Sequence, residues 1–391
     1  MHAISEAERR ARLGRRHALA DGHRAASVTD AARAVVALHG TDPATTVLSA
    51  LARTRGSTPA DVERALYDDR DLVRVLAMRR TVFAVPRETA GTCLVGAGDV
   101  VAVEQRRLLL KSLAAAGIAG DLGAWVARAE EAAMTAIRAA GEVTSAELAQ
   151  ADSLLATRVQ LGSGATVATP TVASRLMTLL SAEGKVVRTR PRGGWTSTQF
   201  RWSTMAAWCD LGELPDRDAA IGELARRWLH AYGPATLDDL QWWAGWTKTR
   251  TRAAVASLDT VEVDLDGRPG IVLADDAEMV EPLEPWVALL PALDPTTMGW
   301  KHRDFVLGPH RQQLFDLNGN AGPTVWVNGR IVGGWAQRDD GEVVVELLQD
   351  VGAEPAAAIE RTAAELTAML GDIRLKARAR GWTAVEKRLR A

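Results

Sequence analysis

The stretch Gly141-Glu142-Val143-Thr144-Ser145-Ala146-Glu147-Leu148 opens the segment whose reading decides the fold. A threonine followed three residues later by an acid, just before an aliphatic, is a capping box. The hydroxyl accepts from the orphan N–H at the third helical position, and the acid there reaches back to the cap. That acid also sits at the positive end of the helix dipole. Behind the box, Val172 to Leu180 is a second helical stretch. Glu183-Gly184-Lys185 then turns into Val186-Val187-Arg188-Thr189-Arg190, and Pro191-Arg192-Gly193-Gly194 leads to a returning strand, Trp195 to Trp202. Helix, helix, strand, glycine-rich tip, strand is the order of a winged helix-turn-helix.

Outward from this segment the same start signal recurs on both sides, as Gly56-Ser57-Thr58-Pro59-Ala60-Asp61-Val62 and as Gly233-Pro234-Ala235-Thr236-Leu237-Asp238-Asp239-Leu240. One such box is common; three at intervals of about 90 residues indicate a repeated domain. After Thr236 come helices over Asp238–Trp243 and about Lys248–Leu258, then strands Val261–Leu265 and Gly270–Leu273 around Asp266-Gly267-Arg268-Pro269. After Thr58 come a helix over Ala60–Asp68, the stretch Leu72–Met78 and a strand Thr81–Val85; this copy is the least complete. Residues 91–140 read as bridging helices with periodic aliphatics such as Leu108, Leu109 and Leu113. From Pro282 short β-like runs alternate with turns, among them the hairpin dipeptides Asn328-Gly329 and Asp340-Gly341. The expected fold class is mainly α with β wings: three tandem winged-helix domains plus a C-terminal small β-barrel-like module or open sheet. The boundaries are 1–90, a bridge 91–140, 141–213 with its wing at 184–202, 214–281, and 282–391 with closing helices near Pro355–Leu370 and Ala384–Leu389.

Composition bounds the class. With 391 residues, 47% hydrophobic and 25% charged, the chain has the profile of a soluble globular protein of several domains. The net charge of -2 advertises no global affinity for nucleic acid, so any basic surface must be local. Cys93 and Cys209 stand alone, which argues against a zinc site or a disulfide framework, and no metal or cofactor is expected. The run Met1 to Arg16 has no apolar core of a signal peptide, and no run of about 18 apolar residues occurs. The expectation is a cytoplasmic monomer without membrane contact.

The ordered motifs along residues 10–390 resemble the bacterial winged-helix DNA glycosylases of the AlkZ and YcaQ type, which excise alkylated or crosslinked purines. The matching pieces are Leu72-Val73-Arg74 with Met78-Arg79-Arg80-Thr81, the wing Gly184 to Trp202, and Trp228 to Thr236. Leu290-Pro291-Ala292-Leu293-Asp294-Pro295 with Gly299 and Arg303, and Pro323 to Val325 with Gly329 to Gly333, complete the set. The resemblance implies a nucleoid-associated repair enzyme acting on damaged DNA in duplex, bubble or single-stranded form. It also implies a catalytic segment before the first capping box, with the pattern Gln, any residue, then Gln or Asp. Here that segment reads Val36-Ala37-Leu38-His39-Gly40-Thr41-Asp42-Pro43, so His39 and Thr41 occupy the two slots and Asp42-Pro43 is retained.

Hydrolysis of an N-glycosidic bond builds an oxocarbenium-like sugar and needs a positioned water. His39 is a candidate base near neutral pH, with Thr41 holding the water and Asp42 orienting the imidazole or stabilising the cationic sugar. The competing reading is structural: His39 ends a helix and Asp42 caps the next, with Pro43 as its first residue. No lysine stands in the segment, so a Schiff-base lyase reaction is not supported.

The expected DNA contacts are clustered cations: Arg79 and Arg80; Lys185, Arg188, Arg190 and Arg192 in the wing; Lys248, Arg250 and Arg252 opening a helix of the third copy; and Arg303, for which an internal bridge to Asp294 is equally open. Trp195, Trp202, Trp242, Trp243 and Trp246 are read as core, with stacking on bases as the alternative. The alternating series Arg374, Lys376, Arg378, Arg380 is assigned no role. The alternative to an enzyme is a non-catalytic DNA-binding protein, either a regulator or one that shields a lesion or binds a genotoxin.

Overall fold

The computed structural model describes residues 2–162, 168–376 and 381–391; Arg378 and Arg380 lie outside them. All three predicted capping boxes form with reciprocal bonds, at Thr58–Asp61, Thr144–Glu147 and Thr236–Asp239, and a fourth forms at Thr383–Glu386. The described residues are mainly helical with four small sheets.

In the first region, strands β2 (Leu38–His39), β3 (Leu72–Ala77) and β4 (Thr81–Pro86) make an antiparallel sheet of order β2-β4-β3. Leu72–Ala77 is thus itself a strand. Its helices are Val28–Ala34, Pro43–Leu51 and Pro59–Glu63, the last continued by a turn to Asp68. In the second region the helices Ser145–Ala151 and Val172–Ala182 precede β5 (Val186–Arg188) and β6 (Trp202–Thr204). The returning strand is shorter than expected. Trp195–Arg201 follows the wing irregularly, tied by Thr189 N–H to Arg201 O (2.9 Å) and Arg192 N–H to Gln199 O (3.0 Å).

In the third region the helices Leu237–Ala244 and Lys248–Ala256 precede the hairpin β7 (Thr260–Leu265) and β8 (Arg268–Leu273). The N-terminal strand β1 (His2–Ala3) adds to β7 in parallel, which local pattern did not announce. The C-terminal strands β9 (Val287–Leu290), β10 (Thr324–Val327), β11 (Arg330–Gln337) and β12 (Val343–Leu347) form an open sheet of order β12-β11-β10-β9. The barrel-like expectation is therefore corrected: β9 and β12 are edges that do not pair. Helix Ala353–Leu370 packs along both β9 and β12, and helix Ala384–Arg390 packs on β11.

Two cores organise these pieces. One runs through the first region, the third region and the C-terminal sheet, from Leu13 and Val47 through Trp228 and Trp243 to Trp326 and Trp335. The other gathers the bridging helices and most of the second region, including Leu113, Trp125, Leu176 and Trp202. The second region is thus an excursion from a body that the chain leaves and rejoins. Among the described residues no helix is long and apolar enough to cross a membrane.

Candidate active site and nucleic-acid interface

The segment Val36–Pro43 enters the sheet under strain. Val36 holds φ at 65°, a left-handed value that a β-branched residue adopts only when its surroundings impose it. Tyr232 Oη supplies part of that constraint by donating to Val35 O at 3.0 Å. Two residues on, β2 pairs with β4 through Leu38 opposite Ala84 and His39 opposite Phe83. Gly40 N–H donates to Val82 O at 2.7 Å. A methyl on Gly40 would sit 3.2 Å from backbone atoms of Val82, Phe83 and Ala84, so glycine lets the segment lie this close to β4. Because residues directly opposite share a face, His39, Phe83 and Val75 lie on one side of the sheet and Leu38, Ala84 and Arg74 on the other.

His39 is half-buried, its ring edge-on to Phe83 at 5.8 Å, and its carbonyl accepts from Thr46 Oγ1 at 2.9 Å. Nδ1 is sealed without a hydrogen-bond partner, which leaves Nε2 as the nitrogen able to meet another molecule. Burial, then the charge of Arg79, push the imidazole down to about 3 against the pull of Asp294. A ring held this low carries no charge at neutral pH. For Nε2 to take a proton, Nδ1 would have to carry its own hydrogen into a place with no acceptor. Thr41 is exposed and Asp42 half-buried. Asp42 caps helix Pro43–Leu51, accepting from Ala44 N–H at 3.0 Å, with Pro43 opening the helix, as the structural reading of that residue has it.

Near His39 two arginines gather on one tryptophan ring, Arg303 buried and Arg79 half-buried. Arg79 and Arg80 make the β3–β4 turn with φ of 53° and 56°. The Arg79 guanidinium lies 3.9 Å from the Trp242 ring centroid, and Arg303 lies 4.8 Å from the same ring and 5.3 Å from Phe315. Arg79 has no ion pair or side-chain hydrogen bond among the described residues, and burial lowers it to about 10. Arg303 donates to Thr297 O at 3.1 Å and is lowered to about 10 by burial, Arg311 and Arg79. It does not meet Asp294.

Asp294 belongs instead to a closed knot with Arg53, both side chains fully buried at 2.6 Å. Its carboxylate also accepts from Ser49 Oγ (2.7 Å) and Thr296 N–H (2.8 Å), while Arg53 donates to Ser49 O and Thr296 Oγ1, each at 2.7 Å. His17 completes it, with Nδ1 accepting from Thr296 Oγ1 at 2.8 Å and Nε2–H donating to Ala231 O at 3.1 Å. This knot bolts helix Pro43–Leu51, and with it the His39–Asp42 segment, to the loop after β9. Neither the knot nor the role of Trp242 was read from sequence. The available signals were Ser49 and Arg53 one helical turn apart and the Asp294-Pro295 motif.

The remaining predicted contacts divide by charge balance. Lys185 pairs with Glu183 (2.7 Å), Arg190 with Asp68 (2.8 Å) and Arg192 with Glu147 (2.9 Å). Arg250 forks onto Asp99 at 2.9 and 3.0 Å, so it faces helix Asp99–Ala115. Arg80, Lys248 and Arg252 are exposed with no ion pair among the described residues. Arg188 is half-buried over Phe200 and Trp202. Trp195, Trp202, Trp243 and Trp246 are buried, whereas Trp242 is half-buried.

The comparisons with known proteins fit this arrangement. A family model described as DNA glycosylase AlkZ-like matches residues 3–369. The interstrand DNA cross-link repair glycosylase of Streptomyces sahachiroi is 32% identical over 178 residues, 43% of this chain; the chain spans about half of that protein's length (48%). The solved structure of Streptomyces sahachiroi DNA glycosylase AlkZ superposes with a TM-score of 0.73 at 23% identity, covering 96% of this chain and 99% of that one, a likeness of fold.

Proposed function

This chain belongs to the AlkZ-like DNA glycosylase family, and from that premise we propose that it is a monofunctional DNA-repair glycosylase hydrolysing the N-glycosidic bond of a damaged base. The observation that carries the reading is the position of His39. It stands where the resemblance puts the family's first catalytic residue, paired into β2 beside β4, with Nδ1 sealed and the Arg79 charge acting on it.

In the proposed step water adds to C1′ as the C1′–N bond breaks. The bond pair leaves with the base; the water's proton passes to the departing base when the lesion is neutral, and to solvent when the lesion is a cationic alkylpurine that leaves uncharged. His39 works as a neutral hydrogen-bonding group that positions the water, the service an amide provides, and not as the proton acceptor. Thr41 offers a second hydroxyl contact, and Asp42 stabilises positive charge on the sugar. Arg79, Arg303, Arg80, Lys248 and Arg252 hold backbone phosphates; Arg188, Arg190, Arg192, Lys185 and Arg250 contribute where DNA displaces or joins their partners. The three helix–strand units act as tandem winged helices on damaged duplex, bubble or single-stranded DNA, and the protein works as a cytoplasmic, nucleoid-associated monomer.

The test is abasic-site formation on oligonucleotides carrying alkylated, deaminated or etheno bases in duplex, bubble and single strand. Release of any one base carries the proposal. Binding of damaged duplex without release sinks it in favour of lesion shielding, and sequence-specific shifts of undamaged duplex favour a regulator.

A further inference from the structure

On the side of the sheet away from His39, three arginines and three aromatic rings alternate between the first and second regions. Arg190 lies 4.8 Å and Arg74 5.1 Å from the Tyr67 ring centroid. Arg74 lies 5.4 Å and Arg188 4.8 Å from Phe200, and Arg188 is 5.1 Å from Trp202. Tyr67 and Arg74 come from the first region; Arg188, Arg190, Phe200 and Trp202 come from the second region's wing and its return.

The charges do not balance. Asp68 pairs with Arg190 at the outer end of the ladder. Arg74, only 3% exposed, has no hydrogen bond or ion pair among the described residues, and neither has the Arg188 guanidinium. The Nε atoms of both are sealed without an acceptor, and so is Oγ1 of Thr189, which is fully buried between Arg188 and Arg190 in sequence. Stacking on rings returns only part of the hydration a guanidinium loses on burial, and two like charges on one ring repel. Burial and the neighbouring Arg74 charge lower Arg188 to about 10. A pair of forked donors without a counter-ion, open at the half-buried Arg188 and Phe200, matches one small oxyanion with several acceptor oxygens.

We propose that Arg74 and Arg188, with Arg190 at the mouth, form an oxyanion receptor whose ligand is a phosphate group. A backbone phosphodiester of bound DNA and free inorganic phosphate share this chemistry. The site lies on the opposite face from His39, so it stands or falls independently of base release.

The experiment follows thermal unfolding of the full chain as inorganic phosphate replaces chloride at constant ionic strength in the low millimolar range. A saturating rise in Tm is expected for the wild type, and a smaller one for Arg188→Leu, whose half-buried position tolerates the change. Phosphate also stabilises proteins by exclusion from their surface, but that effect does not saturate and raises both proteins equally. The second arm measures duplex affinity against salt. If one DNA phosphate seats here, Arg74→Leu, Arg188→Leu and the double variant should each lower the log–log slope by the same single contact, about 0.9. Saturating protection with that slope change assigns the site to the DNA backbone; protection with an unchanged slope assigns it to free phosphate. Equal Tm in phosphate and chloride for the wild type, or an equal rise in the wild type and Arg188→Leu, overturns the receptor. Arg74→Met, which removes the charge while keeping an unbranched chain over the rings, serves if Arg74→Leu does not fold.

Discussion

Two clusters in the same core each hold an arginine and a histidine, and they differ in one respect. In the knot of Arg53, Asp294 and His17 every charge has a partner and both imidazole nitrogens are bonded. In the cluster of Arg79, Arg303 and His39, the Arg79 guanidinium rests on Trp242 without a carboxylate, and His39 has an orphan Nδ1. Both histidines are pushed down to about 3, chiefly by burial and then by the neighbouring arginine. The contrast separates a cluster spent on stability from one left incomplete, and incompleteness is what a ligand can satisfy.

The largest expected effect tests the closed cluster. Asp294→Ala strands Arg53 as a buried unpaired cation and should cost about 3–5 kcal/mol in urea unfolding. Arg79→Met strands nothing and should cost less than about 1 kcal/mol, or stabilise. Equal losses would erase the distinction. On the catalytic side, His39→Ala removes the group that positions the water and should slow single-turnover base release by about 10²-fold with DNA affinity nearly unchanged. His39→Gln should retain release, because a glutamine supplies the same neutral hydrogen bond. Wild-type rates in His39→Ala would reduce the segment to a structural one.

Acid offers a finer test. A histidine held at about 3 in the folded chain and titrating near 6.5 when unfolded makes the unfolded state bind more protons between those values. The contribution is complete above about pH 6.5 and is lost as pH falls toward 3. Wild type should therefore lose stability relative to His39→Gln through that window, with no relative change above pH 7. Base release should show no limb near 6.5; a limb there would restore the titrating-base role. The smallest effect concerns charge balance at the surface. Lys248→Ala, an exposed unpaired cation, should lower the salt slope of duplex binding by about 0.9 if it meets a phosphate. Arg192→Ala should lower it less, because Glu147 already screens that side chain.

The difference between the clusters also marks the limit of reading the chain directly. Asp294 and Arg303 looked equally able to pair from their spacing, yet Arg53, 241 residues from Asp294 in sequence, takes the carboxylate. Lys185, Arg190, Arg192 and Arg250 read as phosphate contacts alongside Arg79 and Lys248, because identical side chains on helices and strands look identical until their neighbours are known. Asp68 and Arg190 are 122 residues apart, and Arg250 and Asp99 are 151 apart. Trp242 was grouped with Trp243 and Trp246 as core, although it alone of the three is only half-buried.

What the sequence by itself determined was local. The threonine–acid boxes close over four residues, and each predicted one formed. Asn328-Gly329 and Asp266-Gly267 turn with both φ values positive, as those residues tolerate at little cost. Only the tertiary structure decided which charges are cancelled, that β1 joins β7, that the C-terminal strands stay an open sheet, and that His39 is neutral. Each of these depends on which distant groups share a low-dielectric space, where a missing partner costs most and where no spacing along the chain reveals it.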